Sequence, residues 1–431
     1  MNNLASRDTI MARRVPQIDG LRALGMLMVY FFHIWEFGGS PTWKVSLLGR
    51  QANVIGFLRN FGTGVDLFMV ISGFCLFWPL CKSAGALSGW DCGRYFRHRV
   101  RRIVPPYYAA IGYTVLLPVL LVTIFRSMNL AANWQPVPSA WQLFTHFLFI
   151  HALFPSTWNG ITGAFWSLSL EAQFYVIFPL AVFGFRRSGV KVIWWMIVAS
   201  VVARIVAGAV IPSPMWRFVF SISCLGRWME FGFGMLTALA VARHWREDRA
   251  NANGALAGTA QVAVALGLYI VGVNCTGTGS LGNVPLYEVL LSMAFSLLIF
   301  AVCTSRTPVA KVIGNPVSAW LGGISYSLYL VHQPTAWYLS EFFKKELHLR
   351  GTADFILLAT VGLAVVIGVA YPFFVIFEKP GLSMNPLRKE LEETPAGAVP
   401  NRREGEATVG SPFGGADSHC TAIRGLSASS R

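Results

Sequence analysis

The chain has few charged residues, and acidic ones are the scarcest. Only 13% of its 431 residues are charged, with 20 Asp and Glu against 35 Lys and Arg, whereas 54% are hydrophobic. An ordinary soluble domain carries about a quarter charged residues. This deficit, together with a mean hydropathy of +0.53, excludes a typical soluble protein and indicates a polytopic membrane protein.

Metal-ligand patterns, internal repeats and a soluble catalytic domain are also missing. The seven cysteines show no Cys-x-x-Cys spacing, and most lie in apolar runs or in connections predicted to face the cytoplasm. We therefore expect no disulfide framework, no metal and no permanently bound cofactor. In a soluble chain the net charge of +15 would suggest nucleic acid. A membrane protein collects Lys and Arg in its cytoplasmic loops, so no nucleic-acid partner is expected.

Apolar segments long enough to cross a bilayer recur along the chain. The first, 21–36, follows a basic stretch but has no small-residue cleavage site, so we expect it to be retained as a helix and not removed as a signal peptide. The other long segments lie near 61–81, 103–125, 165–185, 190–211, 217–241, 256–273, 286–304, 318–339 and 354–378. The apolar segment 141–154 is shorter, and its length alone does not decide whether it crosses the membrane.

The positive-inside rule decides the doubtful segment. If 141–154 crossed the membrane, the basic turn from Arg186 to Lys191 would lie outside, whereas a re-entrant or interfacial segment places it inside. The sequence thus predicts an all-α membrane protein with about ten transmembrane helices, one re-entrant or interfacial segment and both termini cytoplasmic. Residues 1–13 would be a cytoplasmic segment, 14–382 the membrane domain, and 383–431, poor in large apolar residues, a disordered cytoplasmic tail.

Ionisable residues inside the apolar segments are the first site candidates. Arg22 and His33 are eleven residues apart, close to three helical turns, so both side chains share one face about 16 Å apart along the axis. Such groups are costly in a bilayer unless they face protein or a wet cavity. The predicted topology places His33, Glu171 and His332 at similar depth in the outer half, where Asp66 could join them.

A basic cluster enters the third apolar segment from the predicted cytoplasmic side. Residues 94–108 contain Arg97, Arg99, Arg101 and Arg102. One interpretation is topogenic charge in contact with anionic lipid. The other is a phosphate clamp, because arginine forms bidentate, charge-assisted hydrogen bonds with phosphate. Arg22 would extend this clamp toward His33, so that one channel joins a cytoplasmic polyanionic donor to a reactive outer site.

Taken in order, these motifs resemble the integral-membrane acyltransferase-3 family over about residues 14–382. The resemblance is carried by Arg22 with His33, Gly64-Val65-Asp66-Leu67-Phe68 through Ser72-Gly73-Phe74, Arg99-x-x-Arg102 followed by Pro105, Phe165-Trp166-Ser167-Leu168-Ser169-Leu170-Glu171 with Phe174-Tyr175, Ser325-Tyr326-Ser327-Leu328-Tyr329-Leu330-Val331-His332, and Phe377-Glu378-Lys379-Pro380. It implies O-acylation of a carbohydrate or lipid-linked glycan, with cytoplasmic acyl-CoA, by default acetyl-CoA, as donor. The expected location is the cytoplasmic membrane.

The resemblance implies that Arg22 and His33 are essential. Acyl transfer from a thioester to a hydroxyl needs a base near neutral pH, so we expect His33 to be the general base. The other roles follow from the residues themselves. Glu171 would orient the imidazole or the acceptor hydroxyl, or else form a helix-helix hydrogen bond to a Tyr or Ser. The residues expected to bind or support the acceptor are Asp66, Ser325, Tyr326, Tyr329 and His332. Ser325, Tyr329 and His332 are spaced four and three residues apart and form a stripe on one helix face, for which helix packing is the alternative.

Two other functional classes remain open at this stage. A proton-coupled exporter of glycans or lipids would also place His and Glu at mid-depth as a relay. Such an exporter would show inverted halves, and the sequence has no such symmetry. A catalytically silent scaffold for lipids would need neither a basic clamp on one side nor a base on the other.

Overall fold

The computed structural model describes residues 15–47, 50–53, 55–81, 87, 89–127, 137–247, 254–275 and 285–383. The predicted cytoplasmic segment 1–13 and, apart from residue 383, the predicted tail 383–431 lie outside this part of the chain. Within it, helices dominate. The described residues also include a hairpin in which β1 (Lys44–Leu47) pairs antiparallel with β2 (Arg50–Asn53).

In the described part of the chain, ten long helical stretches build the bundle. Their bounds are α1 Pro16–Phe37, α2 Gly64–Cys81, α3 Cys92–Ser127, α5 Trp166–Ser188, α6 Lys191–Val210, α8 Cys224–Glu247, α9 Ala255–Asn274, α10 Leu286–Thr304, α13 Ser325–Glu346, and a final stretch in which α14 (Thr352–Leu357), α15 (Leu363–Phe373) and α16 (Lys379–Ser383) are joined by single π-turns. The short helices are α4 Ala140–Phe147, α7 Pro214–Ser221, α11 Pro308–Ile313 and α12 Pro316–Gly323.

Eight stretches of the described chain are long and apolar enough to cross a membrane: Pro16–Phe37, Gly56–Cys81, Cys92–Thr123, Gly163–Ser188, Lys191–Val210, Ala255–Asn274, Leu286–Thr304 and Thr352–Leu382. Helices α8 and α13, which overlap the predicted spans 217–241 and 318–339, do not meet that measure because polar and charged side chains interrupt them. Multiple spans are therefore confirmed, whereas the number ten and the orientation of the termini stay predictions.

Two predicted segments are divided differently in the structure. Segment 318–339 is split at Ile324, because α12 ends at Gly322-Gly323 and α13 begins at Ser325. Glycine is a frequent helix terminator. Segment 217–241 is split in the same way between α7 and α8, at Ile222 and Ser223. In both cases the long helix begins and ends several residues later than the predicted segment.

The doubtful segment 141–154 does not form a spanning helix. Its helix α4 has eight residues, opened by a capping box between Ser139 and Gln142, and is about 12 Å long, well short of a bilayer core. The chain then folds against the start of α5, where Ser169 Oγ donates to the Phe149 carbonyl at 2.6 Å. The buried rings of His146 and His151 stack 3.8 Å apart. Burial lowers the pKa of His146 to about 4 and that of His151 to about 3.

The central helices α2 and α8 pack through paired glycines. A Cβ added at Gly73 would lie 2.1 Å from the Phe231 carbonyl oxygen, and one at Gly234 would lie 2.0 Å from the Val70 carbonyl oxygen. Only glycine permits so close an approach of two backbones, as in other membrane helix pairs. This contact fixes α8 against α2, and with it the buried charges described below.

Cysteine labelling tests the predicted orientation. With the native cysteines replaced, a cysteine at Ser188 should react with a membrane-impermeant thiol reagent only after the cytoplasmic side is opened, whereas one at Ser40 should react in intact cells. Both positions are exposed, so access depends on the side of the membrane. Labelling of position 188 from outside would reverse α5 and contradict the predicted topology.

Candidate functional site

Two adjoining cavities, of about 80 and 30 Å³, lie inside the bundle and are together called the basic cavity here. Both are lined by Arg22, Ser72, Arg102, Glu171 and Tyr326. These residues come from α1, α2, α3, α5 and α13. Five helices that are distant in sequence thus supply two cations, a carboxylate and two hydroxyls to the same two cavities.

The basic cluster at the start of α3 divides between this cavity and the surface. Arg99 and Arg102 line the cavity, whereas Arg97 and Arg101 are exposed and are not among its lining residues. Of the four arginines predicted to form a clamp, two therefore line the cavity together with Arg22, and two do not. The reason is helical periodicity, since residues three apart share a face and neighbouring positions do not.

Two aromatic rings contact the Arg99 guanidinium group. The Arg99 guanidinium carbon lies 5.7 Å from the Tyr95 ring centroid and 5.2 Å from that of Tyr175. Such cation-π contacts stabilise a desolvated cation and do not use its N–H groups, and the buried Arg99 Nε has no hydrogen-bond partner among the described residues. One of the arginines that line the cavity therefore keeps an unsatisfied donor, which suits an anion.

Glu171 belongs to the basic cavity and does not contact His33. Its Oε1 accepts hydrogen bonds from the Ser72 hydroxyl at 3.3 Å and from the Tyr175 hydroxyl. This arrangement matches the predicted alternative, a helix-helix hydrogen bond to Tyr and Ser. The expectation that Glu171 lies at the depth of His33 is wrong. Its position beside Arg22 places it nearer the other end of α1.

The reason is the depth at which α5 begins. The segment before α5 folds into the bundle, and the Ala164 N–H donates to Gln333 Oε1 while the Tyr329 hydroxyl donates to the Ala164 carbonyl. Position 164 is therefore already level with α13 near His332. Glu171 follows seven residues later, about 10 Å further along the helix axis.

His33 and His332 come together, as predicted. Their ring centroids are 5.4 Å apart, and His33 Nδ1 lies 3.5 Å from Glu36 Oε2. His332 is fully buried, and its Nδ1 lies 2.7 Å from the Tyr329 carbonyl oxygen. Because a carbonyl can only accept, this contact places the proton on Nδ1 and leaves the lone pair on Nε2, which has no partner among the described residues.

The hydroxyl residues of α13 that are expected to support the acceptor lie between the basic cavity and the histidine pair. Ser325, Tyr326 and Tyr329 all line the cavity. The Tyr329 hydroxyl hydrogen-bonds Ser167 Oγ at 2.6 Å, and the Tyr329 ring lies 5.3 Å from that of His332. The Ser325 hydroxyl donates to Gly322 O at 2.8 Å. Because these hydroxyls already form hydrogen bonds within the protein, the residues both join neighbouring helices and line the cavity.

A second, larger cavity of about 500 Å³ lies on the other side of the histidine pair. We call it the neutral cavity. It is lined by Phe37, Thr114, Val115, Pro118, Val119, Val137, Pro138, Asn159, Gly160, Ile161, Thr162, Gly163, Gln333, Pro334 and Trp337. Phe37 stacks on His33 with ring centroids 6.0 Å apart, and Gln333 follows His332 in the chain. The imidazoles thus lie between a basic and a neutral cavity.

Asp66 is not part of either cavity's lining. Its Oδ1 accepts from Arg227 Nη1 at 2.5 Å, and the same nitrogen lies 2.5 Å from Glu230 Oε1. Nearby, Arg204 pairs with Glu288. The expectation that Asp66 supports the acceptor site is thus corrected, because a buried carboxylate takes the nearest buried cation and α8 supplies one.

Sequence reasoning missed four residues that the structure brings to these cavities. Ser72 and Tyr175 lie in the quoted motifs but were assigned no role, although helical spacing from Glu171 to Tyr175 indicates a contact. No spacing in the sequence indicates a role for Asn159, and for Gln333 the one indication is its position next to His332. No cluster of three or more His, Cys, Asp or Glu side chains that could hold a metal occurs in the described ranges.

Comparison with known proteins gives one family and several relatives. A family model described as an acyltransferase domain, acyltransferase-3, matches residues 15–375. The chain is 24% identical over 346 residues to the peptidoglycan O-acetyltransferase OatA of Listeria monocytogenes, covering 74% of this chain and 49% of OatA. It is 26% identical over 344 residues to the putative peptidoglycan O-acetyltransferase YrhL of Bacillus subtilis, covering 75% and 48%.

A putative O-acetyltransferase of Staphylococcus aureus is 22% identical over 348 residues, covering 74% of this chain and 50% of its own length. The chain therefore spans about half the length of the curated relatives it matches. No solved structure matches it.

Proposed function

The chain belongs to the acyltransferase-3 family, and we propose that this multi-pass membrane protein transfers an acyl group, by default acetyl, from cytoplasmic acyl-CoA to a hydroxyl of a carbohydrate. The names of its relatives, which are O-acetyltransferases and in two cases peptidoglycan O-acetyltransferases, support the acetyl group and the carbohydrate acceptor. The location would be the cytoplasmic membrane, with donor and acceptor on opposite sides.

One observation carries the proposal. A pair of imidazoles, His332 fully buried and His33 partly buried, lies between a cavity lined by arginines and a cavity lined by neutral polar and aromatic residues. An acyl transferase that uses a phosphate-bearing thioester donor and a hydroxyl acceptor needs these three parts in this order. A proton relay for export would need the histidines but not the clamp of arginines.

The basic cavity would hold the phosphate-bearing end of the donor. Arg99 and Arg102 line it at the start of α3 and Arg22 lies deeper, on the same helix as His33. Guanidinium groups bind phosphates through paired N–H donors. The pantetheine arm of the donor would then run past Tyr329 and bring the thioester toward the imidazoles.

His33 would act as the general base for the transfer. The acceptor oxygen attacks the thioester carbonyl, the hydroxyl proton passes to the imidazole, and the carbon–sulfur bond breaks. The proton then returns to the departing CoA thiolate, so the imidazole is regenerated and the reaction needs no other proton donor. Histidine suits this task because its ordinary pKa lies near neutrality.

Variants of the basic cluster test the donor site. With purified protein and [¹⁴C]acetyl-CoA, the Arg99→Gln/Arg102→Gln variant should raise the KM for acetyl-CoA about 10-fold or more while changing kcat less. Contacts to phosphate far from the reacting carbonyl contribute mostly uniform binding.

The matched control is Arg97→Gln/Arg101→Gln, which removes the same charge from the exposed face of the same helix turn. It should leave the KM close to wild type. Equal KM values in both double variants would return the cluster to a topogenic role. Wild-type protein that neither hydrolyses nor transfers from acetyl-CoA would favour export.

A further inference from the structure

The neutral cavity carries a chemical signature of its own. Among its described lining residues none has a charged side chain. Its polar groups are two amides, Asn159 and Gln333, and two threonine hydroxyls, and its aromatic walls are Phe37 and Trp337. Carboxylates and phosphates are expensive to bury without a cation, so this lining selects against anionic ligands.

The orientation of the Gln333 amide is fixed by its neighbours. Its Oε1 accepts from the Ala164 N–H at 2.5 Å and from the Thr162 hydroxyl at 2.7 Å. A backbone N–H can only donate, so the atom facing it must be the amide oxygen. The Nε2 group is thereby directed elsewhere, and no hydrogen bond joins it to any residue of the described chain.

Gly163 keeps the space beside this amide open. A Cβ added there would lie 2.9 Å from Asn159 Oδ1 and 3.0 Å from Gln333 Nε2, so an acceptor and a donor converge over the bare Cα. The φ angle of Gly163 is not positive, so its backbone does not require glycine. What a side chain would remove is the access to the two amides.

We propose that Asn159 and Gln333 form a subsite that binds a hydroxyl of an uncharged sugar ring, with Trp337 and Phe37 against its apolar faces. A sugar hydroxyl both donates and accepts, and so matches an amide oxygen beside an amide N–H. The inference rests on the proposed function and specifies its acceptor. The unit that enters the site is a neutral hexose or N-acetylhexosamine, not a uronic acid or a sugar phosphate.

Binding of matched glycosides tests the charge preference. Equilibrium dialysis of the full-length purified protein with labelled methyl glycosides of glucose, galactose, mannose and N-acetylglucosamine, and with the uronate of each hexose, needs no acyl-CoA. At least one neutral glycoside should bind about tenfold or more tighter than its uronate, because the carboxylate would be desolvated without a cation. Equal binding of every pair, or binding of none of the neutral glycosides, would overturn the proposal.

Two variants test the amide pair. Gly163→Ala should displace the flexible amide ends without straining the backbone, and Gln333→Glu keeps an oxygen for the Ala164 N–H but replaces the donor by an acceptor. Each should weaken binding of the neutral glycoside about tenfold. The control Gly112→Ala adds a methyl group where no atom lies within 4 Å and should bind as wild type does.

Wild-type binding by both Gly163→Ala and Gln333→Glu would refute the subsite. Acetyl-CoA hydrolysis, measured on the same preparations, separates this inference from the proposed function. If hydrolysis and transfer are absent while the glycosides bind as expected, the enzyme assignment fails and the sugar subsite stands. If hydrolysis is normal and no glycoside binds, the subsite fails alone.

Discussion

The His33→Ala variant should lose acyl transfer by a factor of about 10² to 10⁴, the usual contribution of a general base. The KM for acetyl-CoA should change little, because the phosphates would bind at Arg99 and Arg102, far along the cavity from position 33. Alanine at position 33 introduces no charge, and Glu36, the side chain beside His33 Nδ1, is exposed and can be hydrated in the variant. Single-turnover transfer from [¹⁴C]acetyl-CoA measures the effect directly.

His332 supplies the comparison, because its ring lies 5.4 Å from His33 and its Nε2 has no hydrogen-bond partner in the part of the chain that the structure describes. His332→Asn, which keeps a side-chain donor for the Tyr329 carbonyl, should retain more activity than His33→Ala if His33 is the base and His332 positions it. The reverse order would move the base to His332. Near wild-type turnover in His33→Ala, with normal amounts of protein in the membrane, would contradict the assignment to His33.

Helical periodicity was enough to predict part of the site. The eleven-residue spacing of Arg22 and His33 places both on one face of α1, Arg22 lining the basic cavity and His33 lying against His332. The three-residue spacing of Arg99 and Arg102 likewise places that pair on one face. These relations lie within single helices, where geometry follows from 3.6 residues per turn. The confirmed resemblance to acyltransferase-3 proteins likewise rests on short motifs within single segments.

Relations between helices were not predictable in the same way. The depth of Glu171 depends on how the segment 148–165 folds into the bundle before α5 begins, and no periodic signal in the sequence reports that fold. The same is true of the partner of Asp66. Arg227 lies 161 positions later in the chain and comes near because α8 packs against α2, where Gly73 and Gly234 allow a close approach. A positive-inside count assigns sides of the membrane but not depth.

Arg227 should be among the residues whose loss destabilises the protein most. It is almost fully buried, and one of its nitrogens lies 2.5 Å from both Asp66 Oδ1 and Glu230 Oε1, with the Trp166 ring 5.8 Å away. Arg227→Met would leave two buried carboxylates without their cation. Breaking a buried ion pair from one side costs about 3–5 kcal/mol, a large part of the stability of a typical folded protein.

The measurement is unfolding of the purified protein in detergent, by heat or by titration with a denaturing detergent. Arg97→Met removes an exposed arginine and should change the midpoint little, as surface substitutions do. The triple variant Arg227→Met/Asp66→Asn/Glu230→Gln should recover most of the lost stability, because it removes the uncompensated charges together with their partner. If Arg227→Met unfolds at the wild-type midpoint, the cluster contributes no net stability. If the triple variant is no better than the single one, the loss comes from the packing of the arginine side chain and not from stranded charge.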